Sequence, residues 1–538
     1  MSFFQSNNKV TKNFSFTVSN MSPTIGINKT SGIGVWNLNN EKIVASNSPI
    51  TIYTGMTGGG PTYSVQLYSD SLDKTNVIAL TDVVGNLDIS EFKKLSSFDV
   101  SGCVGLTAIT NPTSSEPVDL YHANSCGLIG NINMSNMKGL GGSVRLNNNA
   151  TLTGITNPPS SSQPFSLYWV YSSGLIGNLD ISGLSGMGGN INFNDNPSLT
   201  SITNPTSNEL VTSYSFAACN ITGVLDVSGF NRLGGVFGGN GQSNLTNVIN
   251  PSSSEVFSSY GVSQCNITGR FNMANLVGMG GYFDISQNPN LTGITNPTSS
   301  QVFTHYMAFT CNLTGILDVM NLTGLGGIFL VHSNANLTQI RNPISTQVFT
   351  RYEAYRCGLI NLDVSTLTGL GGRFLVNANA NLTGITNPTS SQVFTQYMAN
   401  TCNLTGTLDL STLSGLGGWC YAHSNSGLTS VVFPVSTQKF TRIYIDTCPN
   451  LDYINFWPLS GGTNDGVHIT VFDNSWDASE VNHILVDLDN IGWTGVTNIL
   501  NISGSINPNA TPDSSSGGYN GTAAKANLIA KGWTVHSN

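Results

Sequence analysis

The sequence has little charge and no basic cluster. Only 9% of its 538 residues are charged, and its 19 Lys and Arg residues are scattered among 28 Asp and Glu residues, for a net charge of −9. Proteins that bind nucleic acid or an anionic membrane surface neutralise phosphates with clustered cations. The composition therefore predicts no nucleic-acid partner.

Long apolar runs and a Sec-type leader are also lacking. No stretch of about 18 apolar residues occurs, so we expect no membrane insertion. The start, MSFFQSNNKVTKNFSFTVSN, has no basic segment followed by a long apolar core. Because the composition is rich in Ser, Thr, Asn and Gly, as in chains that work outside cells, we expect assembly into a virus particle and release by lysis.

Motifs of catalysis, cofactor binding and metal coordination are missing. The seven His residues show no two-histidine metal spacing, and Cys and His do not cluster as zinc ligands do. Neither a G-x-S-x-G nucleophile elbow nor a G-x-x-x-x-G-K-[ST] phosphate loop occurs. We therefore expect no enzyme, no cofactor and no bound metal.

What the sequence has in abundance is glycine and a repeated phrase. There are 59 glycines. Variants of LTGITNP recur at intervals of 45 to 47 residues, with their leucine at Leu106, Leu152, Leu199, Leu245, Leu291, Leu337, Leu382 and Leu428. A period this constant indicates stacked structural units.

Each repeat contains two coils. Phe394, Tyr397, Ala399, Cys402 and Leu404 fit the pattern L-x-x-L-x-L-x-x-N/C-x-L, and the other half of the repeat fits it again, so one coil has about 23 residues. Alternating apolar residues predict one short strand per coil, paired in parallel about 4.8 Å from the next. The expected fold is a mainly β solenoid with a parallel β-sheet.

Three parts follow from where the repeat begins and fades. Residues 1–60 do not follow it and contain short β-like segments, so we expect an N-terminal attachment module there. The solenoid is expected at 61–458, with degenerate repeats and a cap at 459–538. In the cap, GTAAKANLIAKGWTV predicts a short helix stopped by Gly532 and then a final strand.

Two series of residues follow the predicted strands. In one half of each repeat the turn carries an asparagine, replaced once by Gln242, whose buried amide can satisfy backbone groups of the adjacent coil. This ladder comprises Asn149, Asn196, Asn288, Asn334, Asn379 and Asn425. In the other half, where Ser173 breaks the series, the turn carries Cys126, Cys219, Cys265, Cys311, Cys357 and Cys402.

The spacing of the cysteines argues for packing rather than chemistry. Ladder cysteines lie two coils apart, roughly 9.6 Å, which exceeds the roughly 7 Å Cα limit for a disulfide. The segment TCNLTG provides no electropositive neighbour that would activate a thiol. We therefore expect reduced, buried thiols. Cys103 and Cys126 lie in adjacent coils, so the spacing argument against a disulfide is weakest for this pair.

These repeats resemble bacterial leucine-rich repeat proteins over about three quarters of the chain. The segment LIAKGWTV also resembles the ending of repeat proteins from Bacteroidetes and their phages. The resemblance implies the leucine-rich repeat fold. The paired 46-residue period, the proline on the convex side and the few charges depart from the family pattern.

A polysaccharide-cleaving enzyme would need two carboxylates close together. Asp284 and Glu353, on the concave strands, lie three coils apart, about 14 Å, whereas glycosidase pairs lie roughly 5–9.5 Å apart. Aspartates also recur at one convex position of nearly every repeat, which indicates a structural ladder rather than a single active site. They are Asp88, Asp180, Asp226, Asp318, Asp363 and Asp409.

The concave strand face is the candidate binding surface. Its outward residues vary while the core repeats, which fits both selection for a partner and free drift. Aromatic groups, which favour recognition, concentrate at Tyr421 and Tyr444, with His423 nearby. These three are our predicted ligand-binding residues, and the alternative is that the tyrosines cover the edge of the C-terminal cap.

The leading functional hypothesis is a non-enzymatic phage virion protein, acting as a fibre, decoration or host-receptor-binding appendage. Its expected partners are other virion proteins through the N-terminal module, a host cell-surface glycan or protein, and further copies of itself. The first alternative is a bacterial cell-surface adhesin, and the second is a polysaccharide depolymerase of a tail spike.

Overall fold

The computed structural model describes residues 83–90, 92, 94–461, 465–504, 507–511 and 519–538, together with the strand segments that precede them. The chain divides into two compact units. Unit 1 comprises Met1–Asn266 and Asn275–Val277, and unit 2 comprises Ile267–Ala274 and Gly278–Asn538.

Unit 1 begins with antiparallel strands. Thr11–Val18 pairs antiparallel with Thr62–Tyr68 and with Val83–Asp88. The remaining antiparallel partners are Thr24–Lys29 with Ile50–Thr51 and Thr75–Leu80, and Gly34–Leu38 with Glu41–Ala45 and Thr62–Tyr68. The parts predicted at 1–60, 61–458 and 459–538 remain predictions.

The rest of unit 1 is a stack of parallel coils. One strand of each coil joins a large parallel sheet, formed by Thr75–Leu80, Ser97–Asp99, Val118–His122, Leu140–Arg145, Phe165–Trp169, Gly189–Asn192, Val211–Ser215, Leu233–Gly238 and Phe257–Gly261. On the opposite side, short parallel pairs join Val83–Asp88 with Gly105–Thr110, Gly130–Asn133 with Leu152–Thr156, Ile176–Asp180 with Ser198–Thr203, and Gly223–Asp226 with Leu245–Ile249.

Unit 2 is built in the same way. Its large parallel sheet contains Gly281–Asp284, Phe303–Met307, Gly327–Leu330, Phe349–Glu353, Leu370–Leu375, Phe394–Met398, Leu416–Tyr421, Phe440–Tyr444, His468–Thr470, Ile499–Asn501 and Thr534–His536. The opposite side pairs Gly269–Asn272 with Leu291–Thr295, Gly315–Asp318 with Leu337–Arg341, Asn361–Asp363 with Gly384–Thr386, and Thr405–Asp409 with Gly427–Val432, which also pairs with Tyr453–Asn455. Hydrogen bonds join positions about 23 residues apart, so the predicted mainly β solenoid is confirmed.

The asparagine ladder fastens each coil to its neighbour. The Asn379 amide donates to the carbonyls of Ala354 (2.9 Å) and Val376 (2.6 Å) and accepts from the Cys357 N–H (2.7 Å). Asn149 makes the corresponding bonds in unit 1. Asn196 is an exception, because its buried Oδ1 has no partner. With three hydrogen bonds to two coils, the amide satisfies buried backbone groups and holds the two coils together.

The cysteine ladder makes fewer and weaker bonds. The Cys357 thiol donates to the Val331 carbonyl one coil back, at 3.3 Å, and Cys126 donates to Val100 at 3.1 Å. Cys126, Cys265 and Cys357 are buried, Cys219, Cys311 and Cys402 are half-buried, and all nine cysteines of the chain are free, including Cys103. Burial raises the pKa of Cys357 to about 11 and that of Cys311 to about 12. The thiolate form is therefore strongly disfavoured.

The residue before each of these ladder positions has a left-handed backbone. Arg356 (φ 53°) and Ala378 (φ 57°) are examples, and Gly241 takes the position before Gln242 with φ 77°. L-residues adopt this conformation rarely and at some cost. The ladder side chain and the inter-coil bonds hold the turn in this shape at every coil.

A tyrosine explains the repeated Asn-Pro dipeptide. The fully buried Tyr397 donates its hydroxyl proton to Asn387 Oδ1 at 3.2 Å, and Asn387 Nδ2 donates to the Asp409 carbonyl of the next coil at 2.8 Å. The same arrangement occurs at Tyr214 and Asn204 in unit 1. The asparagine therefore satisfies a core hydroxyl and joins two coils on the side opposite the large sheet.

Two helices complete unit 2. The first helix, Ala478–Ile491, starts at a capping box: the Asp477 side chain accepts from backbone N–H groups of the first turn, and the Glu480 side chain accepts from the Asp477 N–H. The helix ends at Gly492, which has the left-handed conformation. The second, Gly521–Ala530, precedes the strand Thr534–His536, as the sequence predicts. A short 3₁₀ helix spans Trp457–Gly461.

Candidate functional site

We call the predicted concave strand face the outer strand face. It is the side of the large parallel sheet that points away from the core. Inward side chains such as Cys420 and Ile443 are fully buried and pack in the core. Outward side chains alternate with them along each strand. Any ligand that reaches the large sheet must meet these outward residues, which differ from coil to coil.

The predicted residues Tyr421 and Tyr444 lie side by side in unit 2. They are paired positions on adjacent parallel strands, and their rings stack with centroids 4.7 Å apart and an interplanar angle of 2°. Trp419 lies two residues before Tyr421, with its ring 5.9 Å away and tilted by only 7°. The stack follows from the sheet, because equivalent side chains on neighbouring strands lie about 4.8 Å apart.

Arg442 covers the tryptophan of this group. Its guanidinium carbon lies 4.8 Å from the centroid of the Trp419 ring, and its Nη1 donates to the Tyr421 hydroxyl at 3.3 Å. Arg442 is exposed, whereas the three rings are half-buried. We call Trp419, Tyr421, Arg442 and Tyr444 the aromatic cluster, a surface that combines ring edges, hydroxyls and a cation.

His423, the third predicted residue, lies at the edge of this cluster. Its ring centroid is 6.1 Å from that of Tyr421, and its Nδ1 lies 3.1 Å from Ser424 Oγ. Burial lowers the pKa of His423, although the negative charge of Asp446 opposes the shift. The structure thus brings all three predicted residues together, and Trp419 and Arg442 join them because they occupy the neighbouring outward position of the same two strands.

A second group of aromatic rings lies on earlier coils of unit 2. The rings of Phe309, His332 and Tyr355 form a ladder, with centroid separations of 4.9 Å and 4.3 Å. Burial lowers the pKa of His332. The ladder extends the aromatic character of the outer strand face beyond the residues that the sequence singled out.

Glu353 lies beside this ladder and is held by two arginines. Its Oε1 accepts from Arg351 Nε at 2.8 Å and lies 3.8 Å from Arg373 Nε, which donates to Gln396 Oε1 at 3.0 Å. The Glu353 side chain is 3% exposed, against 36% for Arg351 and 42% for Arg373. A carboxylate enclosed in this way serves the surface structurally.

The other acidic residues of the outer strand face in unit 2 are also enclosed. Asp284 accepts from the backbone N–H and the hydroxyl of Ser286, at 2.9 Å and 2.6 Å. Asp446 is 8% exposed and accepts from the Thr447 hydroxyl at 3.2 Å. Burial raises the pKa of Asp446, and His423 opposes the shift. The accessible charge on this face therefore comes from the arginines.

The outer strand face of unit 1 differs in chemistry. Its aromatic group is Trp169 with Tyr171, at a centroid separation of 5.8 Å, and Arg145 lies 5.0 Å from the Trp169 ring. Towards the end of the unit, the outward positions carry small residues, among them Gly238 and Gly261. The aromatic surface is therefore smaller here than in unit 2.

The acidic series on the opposite side of the coils has a local structural role. Asp180 Oδ1 accepts from the Ser182 N–H at 2.9 Å, and Asp409 Oδ1 accepts from the Ser411 N–H at 2.9 Å. Such a bond to the residue two positions later stabilises a tight turn. Among the residues that the structure describes, no three His, Cys, Asp or Glu side chains cluster so as to hold a metal ion.

A cleft on the opposite side of unit 1 also repeats with the coils. It is lined by Asn204, Pro205 and Asp226 in one repeat and by the corresponding Asn111, Pro112 and Asn133 in another. A cleft built from the recurring Asn-Pro segment reflects the packing of the coils. None of the helices in the described parts of the chain is long and apolar enough to cross a membrane.

Comparisons with known proteins give distant likenesses. No protein-family model and no curated sequence matches the chain. Among solved structures, it is similar to the functional domain of InlJ from Listeria monocytogenes, which includes a cysteine ladder, at 15% identity and a TM-score of 0.29 over 76% of each chain. It is also similar to the plant peptide hormone receptor RGFR1 in complex with RGF2, at 11% identity and a TM-score of 0.27, over 86% of this chain and 98% of that one.

Proposed function

We propose that this protein is a non-catalytic binding scaffold and that the outer strand face of unit 2 is its recognition surface. The observation that carries the proposal is the aromatic cluster, in which Tyr421 stacks on Tyr444 of the next coil, Trp419 lies beside Tyr421 on the same strand, and an exposed Arg442 covers Trp419. Tryptophan, tyrosine and arginine are the residues that dominate binding energy at protein interfaces. The rigid sheet beneath them holds the surface in shape before a ligand arrives.

The coil architecture favours binding over catalysis. Glu353 and Asp284 accept hydrogen bonds and ion pairs from their own neighbours, so neither is poised as a general acid or base. The thiols of the ladder are directed at backbone carbonyls. The outward side chains are left to meet a partner, which is the usual use of an extended solenoid surface.

The biological setting that we propose is a phage particle, on which the protein serves as a fibre, decoration or host-receptor-binding appendage. Support comes from the resemblance of LIAKGWTV to the ending of repeat proteins from Bacteroidetes and their phages, and from the N-terminal part, which does not follow the repeat. The N-terminal strands would hold the particle, and unit 2 would meet the host surface. A bacterial cell-surface adhesin is the alternative setting.

Two measurements test this proposal. Mass spectrometry of purified phage particles should detect the protein, whereas its recovery only in the washed surface fraction of the bacterium would favour the adhesin. The double variant Tyr421→Ala/Tyr444→Ala should then lose most adsorption to host cells while keeping the parent's circular dichroism.

A matched variant in unit 1 is the control for the adsorption assay. Trp169→Ala/Tyr171→Ala also removes two neighbouring outward aromatic side chains, and it should adsorb as well as the parent. If the variant in unit 2 adsorbs as strongly as the parent, the recognition surface lies elsewhere and the proposed function of this face is wrong.

A further inference from the structure

We propose that the ligand of the outer strand face in unit 2 is an acidic polypeptide segment, bound through its carboxylates by Arg373 and Arg442. This inference rests on the proposed function, because it names the chemistry of the partner at the same surface. It follows from the distribution of charge, the spacing of the arginines and the way in which the rings are stacked.

On the outer strand face of unit 2 the negative charges are buried and the positive charges are exposed. Between Gly281 and Asp446, the three carboxylates of the outer strand face are at most 8% exposed, at Asp284, Glu353 and Asp446. Arg373 keeps 42% of its side chain exposed, and Arg442 is exposed as well. On the opposite side of the same coils the relation is reversed, because exposed carboxylates recur at Asp318, Asp363 and Asp409.

The exposed charges of the outer strand face are therefore mainly positive, although the net charge of the chain is −9. Glu353 neutralises part of Arg351, to which it is bonded at 2.8 Å. Arg373 lies 3.8 Å from the same carboxylate, so one negative charge faces the two positive charges of Arg351 and Arg373, and a net positive charge remains. Arg373 and Arg442 donate to the neutral groups of Gln396 and Tyr421 and keep further N–H donors. A ligand with carboxylates complements such a surface, since guanidinium and carboxylate groups form strong, directional hydrogen bonds.

The positions of the two arginines set a distance for the ligand. Arg373 pairs with Gln396, Gln396 with Trp419, and Trp419 with Arg442 on successive parallel strands. Three strand spacings of about 4.8 Å place the two arginines about 14 Å apart along the stack. An extended peptide advances about 3.4 Å per residue, so its acidic residues would stand four positions apart.

The stacking of the rings favours a polypeptide over a sugar. A sugar binds an aromatic residue by laying its C–H face on a free ring face. Here Trp419 has Arg442 over its ring, Tyr421 is stacked on Tyr444, and His332 lies between Phe309 and Tyr355. These contacts cover one face of Trp419, Tyr421 and Tyr444 and both faces of His332, and the hydroxyl and guanidinium groups beside them suit carboxylates and peptide groups.

Binding of defined polymers to the full-length protein tests the inference. Poly-L-glutamate is the probe for an acidic polypeptide, polygalacturonate is the probe for an acidic glycan, and dextran is the uncharged control. The parent protein should bind poly-L-glutamate more tightly than polygalacturonate and should not bind dextran. Affinity should fall as salt is raised, because the contact is ionic.

Two variants with the same charge change locate the site. Arg373→Gln/Arg442→Gln should weaken binding of poly-L-glutamate at least tenfold. Arg270→Gln/Arg341→Gln removes two arginines from the opposite side of unit 2, where they contact the Ile294 carbonyl and Asp318, and should change binding less than twofold. Circular dichroism confirms that both variants are folded.

The outcomes separate this inference from the proposed function. Absence of poly-L-glutamate binding, or equal weakening in both arginine variants, would overturn the acidic ligand, and tighter binding of polygalacturonate would replace it with an acidic glycan. If Arg373→Gln/Arg442→Gln adsorbs normally to host cells while Tyr421→Ala/Tyr444→Ala does not, the recognition surface stands and the acidic ligand fails. If neither variant loses adsorption, both proposals fail.

Discussion

Each unit has a large parallel sheet, and the residues on its core-facing side are alike in the two units. The residues on its outward-facing side differ. Tyr214 in unit 1 and Tyr397 in unit 2 are fully buried and make the same hydroxyl bond to an asparagine. On the outer strand face, unit 1 carries the pair Gly238 and Gly261 at the strand position where unit 2 carries the pair Tyr421 and Tyr444.

This contrast separates what the fold requires from what it leaves open. Inward residues must fill a coil of constant size and satisfy buried polar groups, so few residue types fit. Outward residues bear no such constraint, because the strands are already held by ladder and backbone bonds. The chemistry that distinguishes the units therefore lies on the surface, where binding specificity can be built without altering the fold.

The largest expected effect, raising the pH, acts on the inner side of both units. Burial raises the pKa of Cys357 to about 11 and that of Cys126 to about 12, above the ordinary thiol value of about 8.5. A raised pKa stabilises the fold below the ordinary value, and this contribution disappears as the pH approaches the folded-state pKa. We expect the urea midpoint, followed by circular dichroism, to fall steadily from pH 8.5 to 11.

The control for this titration is a variant with fewer ladder thiols. Cys126→Ala/Cys357→Ala should show a shallower fall of the urea midpoint over the same pH range. A midpoint that does not change with pH in the parent protein would mean that the thiols ionise freely and that the ladder is open to solvent.

Removing a ladder amide should have the next largest effect, and the same effect in either unit. Asn149→Ala and Asn379→Ala each delete a buried amide that bonds to two coils. We expect each to lower the free energy of unfolding by roughly 1–3 kcal/mol in denaturant titration. Cys311→Ala should lower it less, because its thiol makes only long bonds to carbonyls, at 3.4 Å and 3.5 Å.

Equal stability of Asn379→Ala and Cys311→Ala would show that the two ladders are not energetically distinct. A loss in one unit alone would contradict the view that the inner sides are equivalent.

A smaller effect is expected from the buried tyrosine hydroxyls. Tyr214→Phe and Tyr397→Phe keep the ring and remove the bond to Asn204 or Asn387, at 2.9 Å and 3.2 Å. Each variant should lose about 1 kcal/mol of unfolding free energy. A neutral result for both would show that the Asn-Pro segment is held by its backbone alone.

The smallest effect on stability should come from the outer strand face of unit 2, and it sharpens the contrast with the core. Arg442→Gln removes an exposed guanidinium over the Trp419 ring and should leave the free energy of unfolding almost unchanged in denaturant titration. A loss comparable to that of Asn379→Ala would mean that the aromatic cluster holds the stack together, so that its main role is structural.

The sequence pattern was sufficient to predict the coils because each coil repeats the same local demand. The period, the ladder positions and the C-terminal helix followed by a strand could all be predicted from residue spacing. The helix Ala478–Ile491 was not predicted from the sequence, although Asp477 and Glu480 form a capping box at its start.

Individual side-chain contacts could not be predicted in the same way. Tyr397 reaches Asn387 ten residues away, and Arg442 reaches Tyr421 across 21 residues. The ion pair of Arg351 with Glu353 decides whether that carboxylate is accessible. Such contacts depend on side-chain rotamers in the folded stack, and spacing along the chain does not determine them.

The most direct test of the central claim compares both outer strand faces in one experiment. Oxidative footprinting of the parent protein would be done free and bound to envelope fragments of the host bacterium. We predict that oxidation of Trp419, Tyr421 and Tyr444 falls on binding, while that of Trp169 and Tyr171 does not change. Protection of the unit 1 residues instead, or unchanged oxidation of the aromatic cluster in a bound sample, would contradict recognition by unit 2.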